Sequence, residues 1–221
     1  MSADFEPFFW CSQFMDDSDL EIEALNCLFY YEATTGFSAY KGCQVKAEQV
    51  CETQLLKHDY SYHLDEELVM QKGENCWQST EGFNVLGYTS FKKKEVHVKN
   101  KMLTKNTTIA HETKHAIHDS QFFQFFPPAY LAKEHVKLET QAKTFARLLT
   151  LPKDVFEQRF RYLDHRVADF NKTLSHLMFD FQVSGRTILL RSFELGLISE
   201  KRMNFFWHKK NYMLPHCSSL I

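Results

Sequence analysis

The chain has 221 residues, of which 44% are hydrophobic and 24% charged, a composition typical of a globular protein with one compact domain or one domain and a small appendage. Its 26 basic and 28 acidic residues give a formal net charge of −2, so the charge balance does not favour nucleic acid or an anionic membrane as a partner. No apolar run reaches the roughly 18 residues of a transmembrane helix, and the first residues lack the basic region of a signal peptide. We therefore expect a cytoplasmic protein whose partner is another protein.

Residues 1–80 carry the weakest signals in the chain. Ser18 and Glu21 have the spacing of a capping box, and apolar residues recur around them at helical spacing: Leu20, Ala24, Leu25, Leu28 and Phe29. This pattern predicts an amphipathic helix of about four turns. Residues 36–80 have weak periodicity, which favours helix mixed with irregular structure.

Residues 87–99 have the pattern of a short strand or hairpin. Gly87 and Tyr88 come first, and residues 95–99 then alternate between polar and apolar side chains. We expect this element to lead directly into the most informative stretch of the chain.

Residues 111–115 read HETKH, an HExxH motif. Thr104 or Asn106 can cap a helix here, and residues 107–117 contain no Gly or Pro. On a helix, the two imidazoles lie on one face one turn apart, where they can share a metal ion while Glu112 reaches a water bound to it. The motif predicts a zinc hydrolase, but the same string also arises by chance, so a third ligand is the stricter test.

A candidate third ligand lies on the next predicted helix. Proline residues bound the segment 129–151, in which apolar residues recur at helical spacing: Leu138, Ala142, Phe145 and Leu149. Glu139 lies on the flank of this buried face, and a buried carboxylate needs a partner. That partner is either a metal ion or, in the alternative interpretation, a Lys or Arg side chain. Two His and one Glu would leave the fourth tetrahedral position of zinc for water, which is the catalytic arrangement.

Several sequence blocks together resemble the ImmA/IrrE family of metallopeptidases. They are TTIAHETKH at 107–115, ETQAKTFARLLTLP at 139–152, FQVS at 181–184 and RSFELGLI at 191–198. The family pairs an HExxH helix with a later E-x-x-A-x-x-F-A-x-x-L-L-x-P helix, and the resemblance covers roughly residues 80 to 200. It implies an α+β fold with a mainly helical, zincin-like metallopeptidase core, a small β-sheet and a C-terminal helical region similar to a helix-turn-helix.

The resemblance also implies the roles of individual residues. His111, His115 and Glu139 would bind one Zn²⁺ ion, and Glu112 would be the general base that takes a proton from water and passes it to the leaving amine. The implied substrate is a helix-turn-helix transcriptional repressor, whose cleavage would relieve repression in a bacterial or mobile-element setting.

Two residues depart from the family pattern. Lys114 stands where the family usually has Gly, and we expect its side chain to project to solvent. Lys143 stands where Asn or Asp is frequent, a position that could orient a His ligand, so the orientation of one ligand is in question. For His118 we expect a supporting or surface position and not a fourth ligand. By residue type alone, the candidates for stabilising an oxyanion are Tyr130, Tyr162 and His165.

A strand beside the cleft of a peptidase can bind an extended peptide through backbone hydrogen bonds. We expect residues 95–99 to be this substrate-binding strand. On that hypothesis, Val98→Pro would impair cleavage and leave zinc bound.

The C-terminal segment allows two interpretations. The first predicted helix contains apolar residues at helical spacing: Val167, Phe170, Leu174 and Leu177. Ser184 caps the second predicted helix and Gly196 ends it. This second helix contains two arginines, Arg186 and Arg191. The pair could be a DNA-binding helix-turn-helix, but we favour packing on the catalytic core because basic residues are few.

The sequence thus predicts an N-terminal region at 1–80, a zinc metallopeptidase core at 81–152 and a packed helical region at 153–221. Nucleic acid and membrane are not expected partners. The alternative function is a regulatory or DNA-binding module with an inactive or structural metal site.

Overall fold

A computed structural model describes residues 15–68, 86–100, 104–120, 128–167 and 169–207, although not the side chains of 128–133. Over these ranges the fold is mixed α/β and mostly helical, which confirms the predicted class at that level. Within the same ranges, no helix combines the length and apolar character needed to cross a membrane.

The helices are α1 (Asp17–Thr35), α2 (Ala47–Lys57), α3 (Lys105–Lys114), α4 (Pro128–Thr150), α5 (Lys153–Arg166), α6 (Phe170–Phe181), α7 (Gly185–Glu194) and α8 (Glu200–Trp207). A single π-helical turn (His115–Asp119), called the π turn below, continues α3. The strands are β1 (Tyr40–Lys41), β2 (Gln44–Val45), β3 (Ser61–Asp65), β4 (Gly87–Ser90) and β5 (Glu95–Lys99).

Helix α1 begins at a capping box, but not at the expected residues. The Asp16 carboxylate accepts hydrogen bonds from the backbone N–H groups of Ser18 and Asp19, and the Asp19 carboxylate accepts from the Asp16 N–H. The predicted pair of Ser18 and Glu21 was wrong, because a carboxylate at position 16 satisfies the exposed N–H groups and complements the positive end of the helix dipole. The hydrogen bonds that Asp16 accepts from Asp19 and Ser18 lower its pKa.

The buried face of α1 is narrower than predicted. Leu20, Ala24 and Leu28 are buried, whereas Leu25 and Phe29 are exposed. The helix has 19 residues, about five turns at the usual pitch, so it is longer than the four turns expected.

The larger sheet has the order β3-β5-β4. Strand β5 is antiparallel to β4, as the hairpin pattern predicted, and its alternate residues Val96 and Val98 are fully buried. Its other neighbour is β3, which pairs with it in parallel and was not predicted. Because β5 lies between two strands, the expectation that residues 95–99 offer an edge to substrate was wrong.

The buried apolar residues form two clusters. One includes residues of α1, α2, β5, α3 and the C-terminal half of α4, and the other includes residues of α5, α6, α7 and α8. Arg191 of α7 joins them. Its side chain is 4% exposed, and its guanidinium donates to the Leu151 carbonyl at 3.1 Å and pairs with Glu21 of α1 at 2.8 Å. This arginine therefore points into the protein.

Candidate metal centre

The HExxH motif spans the junction of α3 and the π turn. His111 lies in the last turn of α3 and His115 is the first residue of the π turn. Thr104 is the N-cap residue by position, although its side chain makes no capping hydrogen bond. Ile109 and Ala110 are fully buried and fix the opposite face of α3. As a result, the two imidazoles face each other, with their Nε2 atoms 3.1 Å apart.

Glu139 of α4 completes the group. Its Oε2 lies 3.4 Å from the Nε2 of His111, and its Oε1 lies 3.4 Å from the Nε2 of His115. Ala142 next to it is fully buried, so α4 is held closely against α3. Within the described part of the chain, the ion pairs of Glu139 are with histidines, and the alternative partner, a Lys or Arg, does not occur there.

The three side chains fit a metal ion. Their ligand atoms all lie within 4.8 Å of one another, and no other such group occurs among the described residues. In a tetrahedral site with metal–ligand distances of about 2.0–2.1 Å, neighbouring ligand atoms are roughly 3.3 Å apart. The two Nε2 atoms are 3.1 Å apart, and each lies 3.4 Å from a different oxygen of Glu139, so each of these separations is close to that spacing. His111, His115 and Glu139 could therefore hold a metal ion.

The electrostatics of the group are those of a carboxylate held among imidazoles. Burial opposes ionisation of Glu139, but hydrogen bonds from His111 and His115 hold its pKa well below the ordinary value. Burial likewise disfavours a charged His115, yet hydrogen bonds to Asp119 and Glu139 raise the pKa of His115 to about 9. The neighbouring carboxylates thus favour the protonated form of His115.

Asp119, at the end of the π turn, orients His115. Its Oδ2 lies 2.6 Å from the Nδ1 of His115, which leaves the Nε2 of the same ring facing Glu139. An acceptor at Nδ1 fixes the tautomer in which Nε2 carries the lone pair that a metal ion needs. Sequence reasoning missed this residue, although its position four residues after His115 is a signal that could have identified it.

Lys114 does not project to solvent, so that prediction was wrong. Its side chain is 1% exposed, and its Nζ lies 2.6 Å from Asp119 Oδ1 and 3.3 Å from Gln141 Oε1. The physical reason is the carboxylate of Asp119, whose side chain is 1% exposed and which therefore requires a positive partner. Burial would raise the pKa of Asp119, but the positive charge of Lys114 and the hydrogen bond from His115 hold that pKa below its ordinary value.

Lys143 is exposed on α4 and does not occupy the orienting position that the family pattern suggested. Asp119 supplies the acceptor for His115 from a different element, α3 and its π turn. The doubt that Lys143 raised about ligand orientation therefore does not apply to His115.

Glu112 is held beside the histidines by the sheet. Its side chain is buried, and the hydroxyl of Thr89 on β4 lies 2.9 Å from Glu112 Oε2 and 3.0 Å from the Glu112 carbonyl oxygen. Gly87 allows this close approach, because a Cβ there would lie 2.7 Å from Thr108 Cγ2 and 3.1 Å from Glu112 Cγ. The charge of Glu112 also contributes to the raised pKa of His115, after the larger hydrogen-bond contributions.

Of the remaining candidates, the structure describes the side chains of His118, Tyr162 and His165. His118 pairs with Glu23 of α1, with the two side-chain atoms 3.5 Å apart, and does not belong to the ligand group, as expected. On α5, His165 is exposed and Tyr162 stacks against neighbouring arginines. The side chain of Tyr130 lies outside the described residues. His135, which sequence reasoning missed, lies on α4 with its Nε2 3.6 Å from Glu139 Oε1.

Comparison with known proteins adds no family assignment. No protein-family model matches the chain, and no curated protein shows a significant similarity to it. The resemblance to ImmA/IrrE metallopeptidases therefore depends on the sequence blocks alone, and the site is interpreted from its own geometry.

Proposed function

We propose that this protein is a zinc-dependent endopeptidase in which His111, His115 and Glu139 bind the metal and Glu112 is the general base. The observation that carries the proposal is the convergence of these three ligand atoms next to a buried glutamate. Two imidazoles and one carboxylate are a donor set that suits zinc and leaves a coordination position for water or substrate. Structural zinc sites usually take four protein ligands, and the described residues provide three at this site.

When bound, zinc would polarise the scissile carbonyl and acidify water. Glu112 would accept a proton from the attacking water, and Thr89 holds its carboxylate in one orientation by donating to Oε2. The same carboxyl group then delivers the proton to the leaving amine. Asp119 keeps the Nε2 of His115 directed at the site throughout, because its own carboxylate accepts at Nδ1.

Strand β4 replaces β5 as the proposed substrate-binding strand. The Lys99 N–H donates to the Leu86 carbonyl, so hydrogen-bonded pairs alternate along β4 and β5 from that point. By this alternation, the backbone groups of Gly87 and Thr89 point away from β5, to the side of β4 on which no other described strand pairs. The four residues of β4 are buried, so the proposal places an extended substrate at a sheet edge inside the protein surface. Thr89 also contacts Glu112, which places this edge next to the proposed base.

A protein substrate fits the small net charge, and the family resemblance suggests a helix-turn-helix repressor. The alternative, a DNA-binding module, is less well supported because Arg191 is buried and paired with Glu21. The other arginine of α7, Arg186, lies over the ring of Trp207 at 5.3 Å. Of these two arginines, Arg186 alone is exposed, and one exposed arginine on α7 is fewer than the several basic contacts that hold a protein on DNA.

The test compares purified wild-type protein with Glu112→Gln, each loaded with Zn²⁺. We expect the wild type to cleave members of a mixed peptide library, with products mapped by mass spectrometry, and the variant to lose at least about 100-fold in rate because it lacks a proton acceptor. Zinc content, measured by elemental analysis, should be one ion per chain in both proteins. Equal cleavage by both proteins, or no zinc in the wild type, would contradict the proposal.

A further inference from the structure

His135 stands one helical turn before Glu139 on α4. The i, i+4 spacing places both side chains on the same face of the helix, and the His135 Nε2 lies 3.6 Å from Glu139 Oε1. The side chain of His135 is 34% exposed, compared with 11% for His115. The exposed part of the ring does not include Nε2, which is buried and faces the proposed ligand.

This imidazole borders the ligand group without joining it. Glu139 Oε1 faces both His115 and His135, at 3.4 and 3.6 Å, whereas Oε2 faces His111. The group of ligand atoms that all lie within 4.8 Å of one another does not include His135. Its position is thus that of a hydrogen-bond donor beside the coordination sphere and not that of a fourth ligand.

Peptide hydrolysis requires such a donor. As water attacks, negative charge develops on the oxygen of the scissile carbonyl. A hydrogen-bond donor positioned at that oxygen can raise the rate by about 100-fold or more. The candidates that residue type suggested on α5 belong to a helix of the second core cluster, and His118 faces Glu23. Among the described histidines, His135 is the one that borders Glu139 without belonging to the ligand group.

We propose that His135 is a catalytic residue that donates a hydrogen bond from Nε2 to the substrate carbonyl oxygen as negative charge develops there. This inference rests on the proposed peptidase function. It makes a prediction that does not depend on turnover: a small oxygen anion bound at the metal should receive the same hydrogen bond.

The test uses Co²⁺-substituted protein, whose visible absorption reports the coordination of the ion, and acetohydroxamate as the anionic probe. We expect His135→Ala to bind Co²⁺ within about twofold of the wild type but to bind acetohydroxamate about 10-fold more weakly, the equivalent of one charge-assisted hydrogen bond. His135→Gln should recover most of this affinity, because its amide nitrogen can replace Nε2 as the donor. His176→Ala, at an exposed histidine on α6, is the matched control and should behave as the wild type.

With a cleaved peptide in hand, His135→Ala should lower kcat about 100-fold and change KM little, and His135→Gln should restore part of kcat. A loss of Co²⁺ affinity beyond 10-fold in His135→Ala would overturn the proposal by making His135 a ligand. Unchanged acetohydroxamate affinity would overturn it as well. If the wild type cleaves nothing, the proposed function fails, but the acetohydroxamate titration still decides whether His135 serves the metal-bound anion.

Discussion

Replacing Lys114 with Met tests the buried charge network behind His115. The substitution keeps an unbranched side chain of similar length but removes the ammonium group. That group lies 2.6 Å from Asp119 Oδ1 and 3.3 Å from Gln141 Oε1. Both Lys114 and Asp119 have side chains that are 1% exposed, so water cannot take the place of the lost charge.

The magnitude follows from what remains around Asp119. Removing one partner of a buried ion pair costs about 3–5 kcal/mol, because the other charge stays buried without compensation. Asp119 keeps its contact with His115 at 2.6 Å, so we expect a loss near the lower limit, about 3 kcal/mol in the free energy of unfolding. The double variant Lys114→Met with Asp119→Asn removes both charges of the pair and should regain part of this loss, but not all of it, because it also removes the carboxylate that contacts His115.

The assay is urea denaturation of protein stripped of metal by a chelator, followed by circular dichroism. Lys143→Met is the matched control: this lysine is exposed on α4, and its replacement should change the stability by less than about 0.5 kcal/mol. The reasoning is refuted if the free energy of unfolding of Lys114→Met is within about 1 kcal/mol of the wild-type value. It is also refuted if the double variant is less stable than Lys114→Met.

The carboxylate of Asp119 should also determine how tightly the metal ion is held. We expect Asp119→Asn to weaken Zn²⁺ binding about 10- to 100-fold, measured in competition with a chromophoric chelator. Equal Zn²⁺ affinity of the variant and the wild type would argue against an orienting role for Asp119. The pH dependence has a definite sign. Because the pKa of His115 is raised from 6.5 to about 9, its stabilising contribution to the metal-free protein is complete below pH 6.5 and is lost as the pH rises through 9. The expected loss in the free energy of unfolding is about 3 kcal/mol, measured by urea denaturation at both ends of this pH range. Saturating Zn²⁺ should reduce this loss. A stability of the metal-free protein that does not change with pH would be inconsistent with the network. At the sheet, Gly87→Ala introduces a Cβ 2.7 Å from Thr108 Cγ2 and 3.1 Å from Glu112 Cγ. This substitution should lower the free energy of unfolding by about 1–3 kcal/mol and displace the Glu112 carboxylate. The displacement would appear as lost cleavage with zinc retained. Unchanged stability and activity would mean that β4 and α3 separate easily.

The ligand group could be predicted from the sequence because each part depends on local periodicity. The spacing of His111 and His115 fixes one helical face, and the small buried neighbours of Glu139 fix another. Packing of the two faces then brings the half-buried carboxylate of Glu139 to the imidazoles, as the separations of 3.4 Å show.

The errors concern contacts between segments distant in sequence. Strand β3, at Ser61–Asp65, has no alternating apolar pattern, yet its parallel pairing is what makes β5 a central strand. Burial of Lys114 likewise depends on Gln141 of another helix and on the carboxylate of Asp119, which no helical period of α3 alone reveals. Periodicity predicts which face is buried, but it does not identify the partner of a buried charge.

The two departures from the family pattern have different physical weight. Lys143 is exposed, so its charge meets solvent and needs no compensation. Lys114 is buried and could not be accommodated unless a carboxylate faced it, and Asp119 meets this need with one oxygen while the other orients His115. One carboxylate therefore both neutralises the unusual lysine and positions a proposed ligand. It follows that position 114 and position 119 are energetically coupled, and neither substitution can be understood without the other.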